Sequence, residues 1–186
     1  MSRHAAVLGW GKSGRGAAEA LLSRGWRVSA FDARPPKEEH VNGLVDVAVH
    51  VEEDPVPLAA AIIEARPDLV VVSPGVPAHH PIFSACEESG IDLWGEVELA
   101  WRLQEEGPHA GRPWLTVTGT NGKTTTVGML GQILTSAGVR VQEVGNIGTP
   151  ITRAIDSDAE VFAVELSSFQ LHTARTVSPL ASICLN

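Results

Sequence analysis

Short continuous apolar runs alternate along the chain with longer segments of helical period, a pattern that predicts βα repeats of the parallel-sheet kind. Ala5 to Leu8 reads as a buried strand, and Gly14 to Arg24 as a helix with Ala17, Ala20, Leu21 and Leu22 at its apolar positions. Val28 to Phe31 is a second strand, ending at Asp32. The run Leu69-Val70-Val71-Val72 is the clearest buried strand of the first half, closed by Ser73-Pro74-Gly75. A helix from Pro81 to Ser89 and a strand from Ile91 to Trp94 complete that unit.

Glu96 to Glu106 reads as a polar-rich helix that can belong to either side, and the breakers from Gly107 to Pro113 separate it from the strand at Trp114. The boundary therefore falls between Gly95 and Pro113; with the helix given to the second half, the domains are residues 1–94 and 95–186. Past the breakers, the second half has the apolar run Trp114 to Val117, then a glycine-rich turn, then the apolar-periodic segment Val127 to Ala137. Strands come next at Val139 to Val144, Val161 to Val164 and Ala181 to Leu185, and no repeat or low-complexity tract occurs. A parallel sheet needs helices on both faces, and the second half offers few. A front part of a larger enzyme, cut inside its second domain, is the expectation.

Composition narrows the class of protein. With 186 residues, 44% hydrophobic and 19% charged, the chain suits one large or two small globular domains. Its net charge of −8 leaves no basic face to hold nucleic acid by counterion release. Cys86 and Cys184 lie far apart without metal-ligand spacing, as expected of a reducing compartment. Met1-Ser2-Arg3-His4 runs into a strand and not into a signal segment, and no stretch is long enough to span a bilayer. A cytoplasmic protein without membrane insertion is expected.

The candidate chemistry lies in the turns. Thr118-Gly119-Thr120-Asn121-Gly122-Lys123-Thr124-Thr125-Thr126 joins a strand to a helix. In that context glycines let backbone N–H groups approach an anion, and the helix start adds its positive dipole end. Lys123 can reach β- and γ-phosphates, and the Thr124 hydroxyl can ligate Mg²⁺. Val117 occupies the place of the first glycine in the full G-x-x-x-x-G-K-[ST] pattern. The alternative is a softened turn with a surface lysine. Glu165, ending the strand Val161 to Val164, can hold Mg²⁺ beside such a loop. Asn146, in Gly145-Asn146-Ile147-Gly148, either binds substrate or braces a turn.

Gly9-Trp10-Gly11-Lys12-Ser13-Gly14 fits G-x-G-x-x-G, with Asp32 about 20 residues on at the place of a ribose-binding acid. A phosphorylated nucleotide at this helix start is implied, but NAD, FAD and a UDP-sugar diphosphate all fit. Arg34 and Ser73-Pro74-Gly75 share the sheet edge where open α/β sheets bind ligands. The His residues offer no metal set; His79-His80 lack a third ligand at usable spacing.

Taken together and in order, these segments resemble the Mur ligase family. The phosphate turn looks like its ATP loop. Val72-Ser73-Pro74-Gly75-Val76-Pro77, Gly95-Glu96-Val97-Glu98-Leu99, Gly145 to Gly148 and Glu165-Leu166-Ser167-Ser168-Phe169-Gln170-Leu171 are similar to the branch that adds D-glutamate to UDP-N-acetylmuramoyl-L-alanine. The resemblance implies a Rossmann-like parallel-sheet domain for the UDP-substrate, followed by an incomplete P-loop ATPase-type α/β domain. It implies ATP and Mg²⁺ as cofactors, and UDP-N-acetylmuramoyl-L-alanine and D-glutamate as substrates; the sequence itself does not give the oligomeric state, for which a monomer is the expectation. The reaction implied is ATP-driven amide formation through an acyl phosphate.

By the same resemblance Gly11, Lys12, Ser13, Asp32, Arg34 and Gly75 fall at uridine-diphosphate contacts. Gly119, Thr120, Asn121, Gly122, Lys123, Thr124 and Thr125 fall at ATP, with Thr124 and Glu165 at the metal and Lys123 and Glu165 catalytic. Asn146, Ser167 and Gln170 fall near the muramoyl-alanine end. Lys12 stands where the family commonly has an apolar residue. The family's downstream histidine, carbamylated lysine and C-terminal domain lie beyond these residues. A sister ligase, or a nucleotide-sensing module without chemistry, is the alternative.

Overall fold

The computed structural model describes residues 2–35, 47–146 and 148–186. Met1 and Ile147 lie outside the described residues. Two compact units divide the chain, Met1–Glu96 and Val97–Asn186.

The first unit is a five-stranded sheet in the order β3-β2-β1-β4-β5, built from β1 (His4–Leu8), β2 (Arg27–Asp32), β3 (Val49–Val51), β4 (Leu69–Val72) and β5 (Asp92–Gly95). All its pairings are parallel. Every residue of β1 and β4 is buried, as the continuous apolar runs require of strands covered on both faces. The helices are α1 (Lys12–Leu22), α2 (Pro55–Glu64) and α3 (Ile82–Ser89). Leu58, Ala59 and Ile62 of α2 and Ile82 and Cys86 of α3 pack with Ala6, Leu8, Val70 and Val72 in one cluster. Burial pushes the Cys86 thiol up to about 11, so it is an inert core group.

Two elements go beyond the periodic reading. β3 has three residues, too few to show a period. α2 carries Pro55 and Pro57 in its first turn, where the missing N–H costs no intrahelical bond, and the Asp54 carboxylate caps it by accepting from Val56 N at 2.9 Å. The first helix is also shifted: α1 starts at Lys12 rather than Gly14 and ends at Leu22.

The second unit is a four-stranded parallel sheet in the order β7-β8-β6-β9, formed by β6 (Trp114–Gly119), β7 (Val141–Gly145), β8 (Val161–Glu165) and β9 (Ala181–Leu185). α4 (Glu96–Glu105) straddles the boundary, and most of it belongs to this unit. Its polarity is largely internal. The Gln104 side-chain amide donates to the Arg112 carbonyl at 3.1 Å, and its oxygen accepts from Trp114 Nε1 at 2.8 Å. Trp101 meets Trp114 edge-on at 5.1 Å. α5 (Lys123–Ser136) starts four residues ahead of the apolar segment, so Lys123 to Thr126 form its first turn. α6 (Ile151–Ala154) and α7 (Ser168–His172) have four and five residues, too short for a periodic signal. No described helix is long and apolar enough to cross a membrane. Parallel sheets flanked by helices make the chain an α/β protein.

Candidate functional site

In each unit the chain order reverses beside a central strand, and open α/β sheets bind ligands at such points, outside the carboxyl ends of the strands. In the first unit the reversal lies between β1 and β4. The turn after β1 is drawn against the turn after β4: Ser73 Oγ donates to the Gly9 carbonyl at 2.7 Å, and Ser73 N to the Leu8 carbonyl at 2.9 Å. A Cβ on Gly14 would run into the Gly9 carbonyl oxygen, so only glycine permits this strand-to-helix approach. Gly11 differs. It precedes α1 in an extended conformation, and a Cβ there would meet nothing within 4 Å. Gly75 is equally open.

Asp32 is fixed more firmly than a mere strand-end acid. Its Oδ2 accepts from Trp10 N at 2.6 Å and its Oδ1 from Arg34 N at 3.0 Å. It therefore ties the glycine turn to the end of β2 through backbone amides. The structure brings Gly11, Lys12, Ser13, Asp32 and Gly75 to the one edge of this sheet, with Arg34 just past β2 and exposed.

In the second unit the reversal lies between β6 and β8. Gly119 to Gly122 form the loop after β6, and α5 starts from Gly122 in the left-handed conformation at φ 82°. Lys123 Nζ folds back to donate to the Gly119 carbonyl at 2.8 Å and to the Thr120 carbonyl at 3.3 Å. Thr120, Asn121, Gly122, Thr124 and Thr125 are exposed, while Gly119 and Lys123 are half-buried.

Glu165 ends β8 beside this loop with 3% of its surface exposed. Thr124 Oγ1 donates to its Oε2 at 2.7 Å, and Asn146 Nδ2 to its Oε1 at 3.0 Å. Asn146 also donates its backbone N–H to the Glu165 carbonyl at 2.9 Å. The structure thus gathers Thr124, Glu165 and Asn146 into one hydrogen-bonded cluster, with Lys123 turned to the carbonyls of the loop. Hydroxyl and carboxylate oxygens beside a glycine turn at a helix start are a donor set that suits a hard cation such as Mg²⁺. Ser167 and Gln170 sit apart in one respect: they close a capping box on α7. Gln170 Oε1 accepts from Ser167 N at 2.9 Å, and Ser167 Oγ accepts from Gln170 N at 3.3 Å.

His80 Nδ1 accepts from Ile82 N at 3.2 Å at the start of α3, and burial, then the neighbouring His79, lower its pKa. Among the described residues no cluster of three or more His, Cys, Asp or Glu could hold a metal.

The sequence pattern gave Glu98 no role. It is fully buried and accepts from Arg102 Nε at 2.7 Å, Arg175 N at 2.7 Å, Thr176 N at 2.9 Å and Thr176 Oγ1 at 2.6 Å. Burial by itself would raise its carboxyl, but these bonds outweigh it and hold the pKa below the ordinary value. An acid flanked by Val97, Leu99 and Ala100, all buried, was the available signal.

Comparison with known proteins agrees in both units. Residues 3–95 match the family description "Mur ligase MurD-like, N-terminal domain", and residues 117–185 match "Mur ligase middle domain". The chain is 46% identical over 182 residues to the UDP-N-acetylmuramoylalanine--D-glutamate ligase of Frankia casuarinae, covering 97% of this chain and 37% of that protein. The proteins of the same name from Mycolicibacterium vanbaalenii and Thermobifida fusca are 45% and 42% identical, over 97% and 99% of this chain and 36% and 39% of their own. The chain thus spans little more than a third of the length of the curated relatives it matches. Among solved structures, the UDP-N-acetylmuramate:L-alanyl-gamma-D-glutamyl-meso-diaminopimelate ligase from Neisseria meningitides aligns with a TM-score of 0.51 at 24% identity, over 89% of this chain and 52% of that one, a likeness of fold. With both of its units matched in order by the family's descriptions, the chain belongs to the Mur ligase family.

Proposed function

We propose that this chain carries the UDP-precursor site and the ATP loop of a ligase that joins D-glutamate to UDP-N-acetylmuramoyl-L-alanine. The observation that carries the reading is the buried Glu165 carboxylate, hydrogen-bonded by Thr124 from the first turn of the helix behind the Gly119 to Gly122 loop. A phosphate loop with an acid at the neighbouring strand end is the arrangement of an ATP-Mg²⁺ site of the P-loop type. The relatives' name supplies the substrate pair.

Each residue then has a role. Gly11, Lys12 and Ser13 offer the start of α1 to the diphosphate, with Asp32, Arg34 and Gly75 at the uridine end of the same sheet edge. Gly119 to Thr125 cradle the triphosphate. Lys123 exchanges its bonds to the Gly119 and Thr120 carbonyls for phosphate oxygens, placing a positive charge where negative charge develops. Thr124 and Glu165 would hold Mg²⁺, which supplies further neutralisation between carboxylate and triphosphate. Asn146, Ser167 and Gln170 are assigned to the muramoyl-alanine end of the precursor, Asn146 through its bond to Glu165. Remote anchoring through UDP positions the precursor's carboxylate for attack on the γ-phosphate, giving an acyl phosphate with ADP leaving; the amine of D-glutamate then attacks the acyl carbon, forming the amide as inorganic phosphate leaves. The setting of such an enzyme is the cytoplasm, and no nucleic acid takes part.

Ligand-dependent melting tests the reading. UDP-N-acetylmuramoyl-L-alanine and ATP with Mg²⁺ should each raise the melting temperature, and NAD should not. A rise with NAD alone would instead identify the first unit as a dinucleotide-binding module.

A further inference from the structure

The end of β9 lies directly beneath the phosphate loop. β9 pairs in parallel with β6, with Thr118 opposite Cys184 and Gly119 opposite Leu185. Gly119 has φ 139°, and a Cβ there would collide with the Leu185 carbonyl oxygen and lie 2.7 Å from Leu185 Cβ. A Cβ on Gly122 would lie 3.4 Å from Leu185 Cδ1. Both loop glycines therefore lie against one residue, Gly119 on the Leu185 backbone and Cβ and Gly122 on its Cδ1, and the Leu185 side chain also packs on Val117, Val127 and Ala163. One residue on, the Asn186 carbonyl accepts from Thr120 N at 2.9 Å.

We infer that the end of β9 is a positioning element for the phosphate loop: Leu185 is its floor, and the Asn186 carbonyl commits the Thr120 N–H to the sheet. The inference rests on reading this loop as an ATP site. Its consequence is a division of labour among the loop amides. The Thr120 N–H anchors the loop, leaving anion binding to the amides further on, at the start of α5. Removing the floor lets the loop sample other shapes, and ATP binding must then bear the ordering entropy.

Amide exchange and calorimetry on the whole chain test this together. In the wild type without nucleotide, the Thr120 amide should exchange at least about a hundredfold more slowly than a free peptide amide. In Leu185→Ala that amide should exchange about tenfold faster and ATP affinity should fall about tenfold, with binding of UDP-N-acetylmuramoyl-L-alanine unchanged. Leu185→Met should restore both, and Ile183→Ala, on the same strand, should alter neither. If Leu185→Ala does not fold, Leu185→Val should show the same two changes in smaller degree. Wild-type Thr120 exchanging at the free rate would overturn the inference. So would a folded Leu185 variant that keeps both Thr120 protection and ATP affinity. Should wild-type chain bind no ATP at all, the reading of the loop fails, while Thr120 exchange still decides the role of β9.

Discussion

Both units end a buried central strand in a glycine turn that opens a helix, yet they hold the acid beside that turn in opposite ways. Asp32 is gripped by two backbone amides, those of Trp10 and Arg34. Glu165 is held by two side chains, the Thr124 hydroxyl and the Asn146 amide. Backbone amides cannot turn away without unmaking the turn, so Asp32 is a brace. Side-chain donors can rotate, so the oxygens of Glu165 can be released to a cation when one arrives. The supports differ likewise. Ser73 of the neighbouring turn secures the first loop through its side chain, whereas the end of β9 secures the second through backbone and Leu185.

That contrast can be broken at several points. The largest effect is expected where the first turn has no room. Gly14→Ala should destabilise the first unit by about 3 kcal/mol in urea unfolding, because the new methyl meets a backbone carbonyl that cannot yield. Gly11→Ala, open on all sides, should leave stability unchanged, and equal effects would contradict the geometry. In the second loop, Lys123→Ala should lower ATP affinity about a hundredfold by calorimetry, the loss of one charge-assisted phosphate contact. Near wild-type affinity would remove the loop from the ATP site.

The two acids should separate by their metal response. Glu165→Gln should raise the Mg²⁺ concentration needed for ATP binding at least about tenfold. Asp32→Asn should leave that requirement alone and instead cost about 1–2 kcal/mol of first-unit stability, since an amide group would face a backbone N–H. An Mg²⁺ effect from Asp32→Asn would erase the distinction drawn between them.

The smallest effect concerns pH. The Glu98 carboxyl is held below its ordinary value of 4.5 in the folded chain, so its stabilising contribution is complete above that pH. It is lost progressively as pH falls below 4.5 through the folded value, the direction required of a depressed carboxylate. Acid titration of second-unit stability should show this limb, and Glu98→Gln should flatten it. An unchanged slope would mean the clamp on Arg175 and Thr176 contributes nothing ionic.

Much of this was legible in the residues. β1, β4 and β8 are fully or mostly buried runs, and both glycine turns announce themselves by composition. α2 was hidden because Pro55 and Pro57 read as breakers until Asp54 is seen to cap a helix over them. α6 and α7 are shorter than the two turns that a period needs. Of the candidate site, Lys123 and Thr124 could be named from the glycine turn and Glu165 from a strand end, and the structure joins Thr124 and Asn146 to Glu165. The capping box of Ser167 and Gln170 was present as a Ser-x-x-Gln spacing, but spacing does not say whether such a pair serves a helix or a ligand. The role of Leu185 comes from Gly119, far off in sequence and adjacent only in the fold, and although the apolar neighbours of Glu98 signal its burial, they do not name its partners Arg175 and Thr176.

The central claim is that the first unit takes the UDP end of the precursor and the second takes ATP. Calorimetry of the whole chain with each ligand, in the wild type, in Gly11→Val and in Lys123→Ala, tests it most directly. Gly11→Val should lose UDP-N-acetylmuramoyl-L-alanine and keep ATP, because the added side chain fills space that the diphosphate needs while the fold tolerates it. Lys123→Ala should lose ATP and keep the UDP-precursor. Unchanged UDP-precursor binding in Gly11→Val, or both ligands lost together in either variant, would contradict the account.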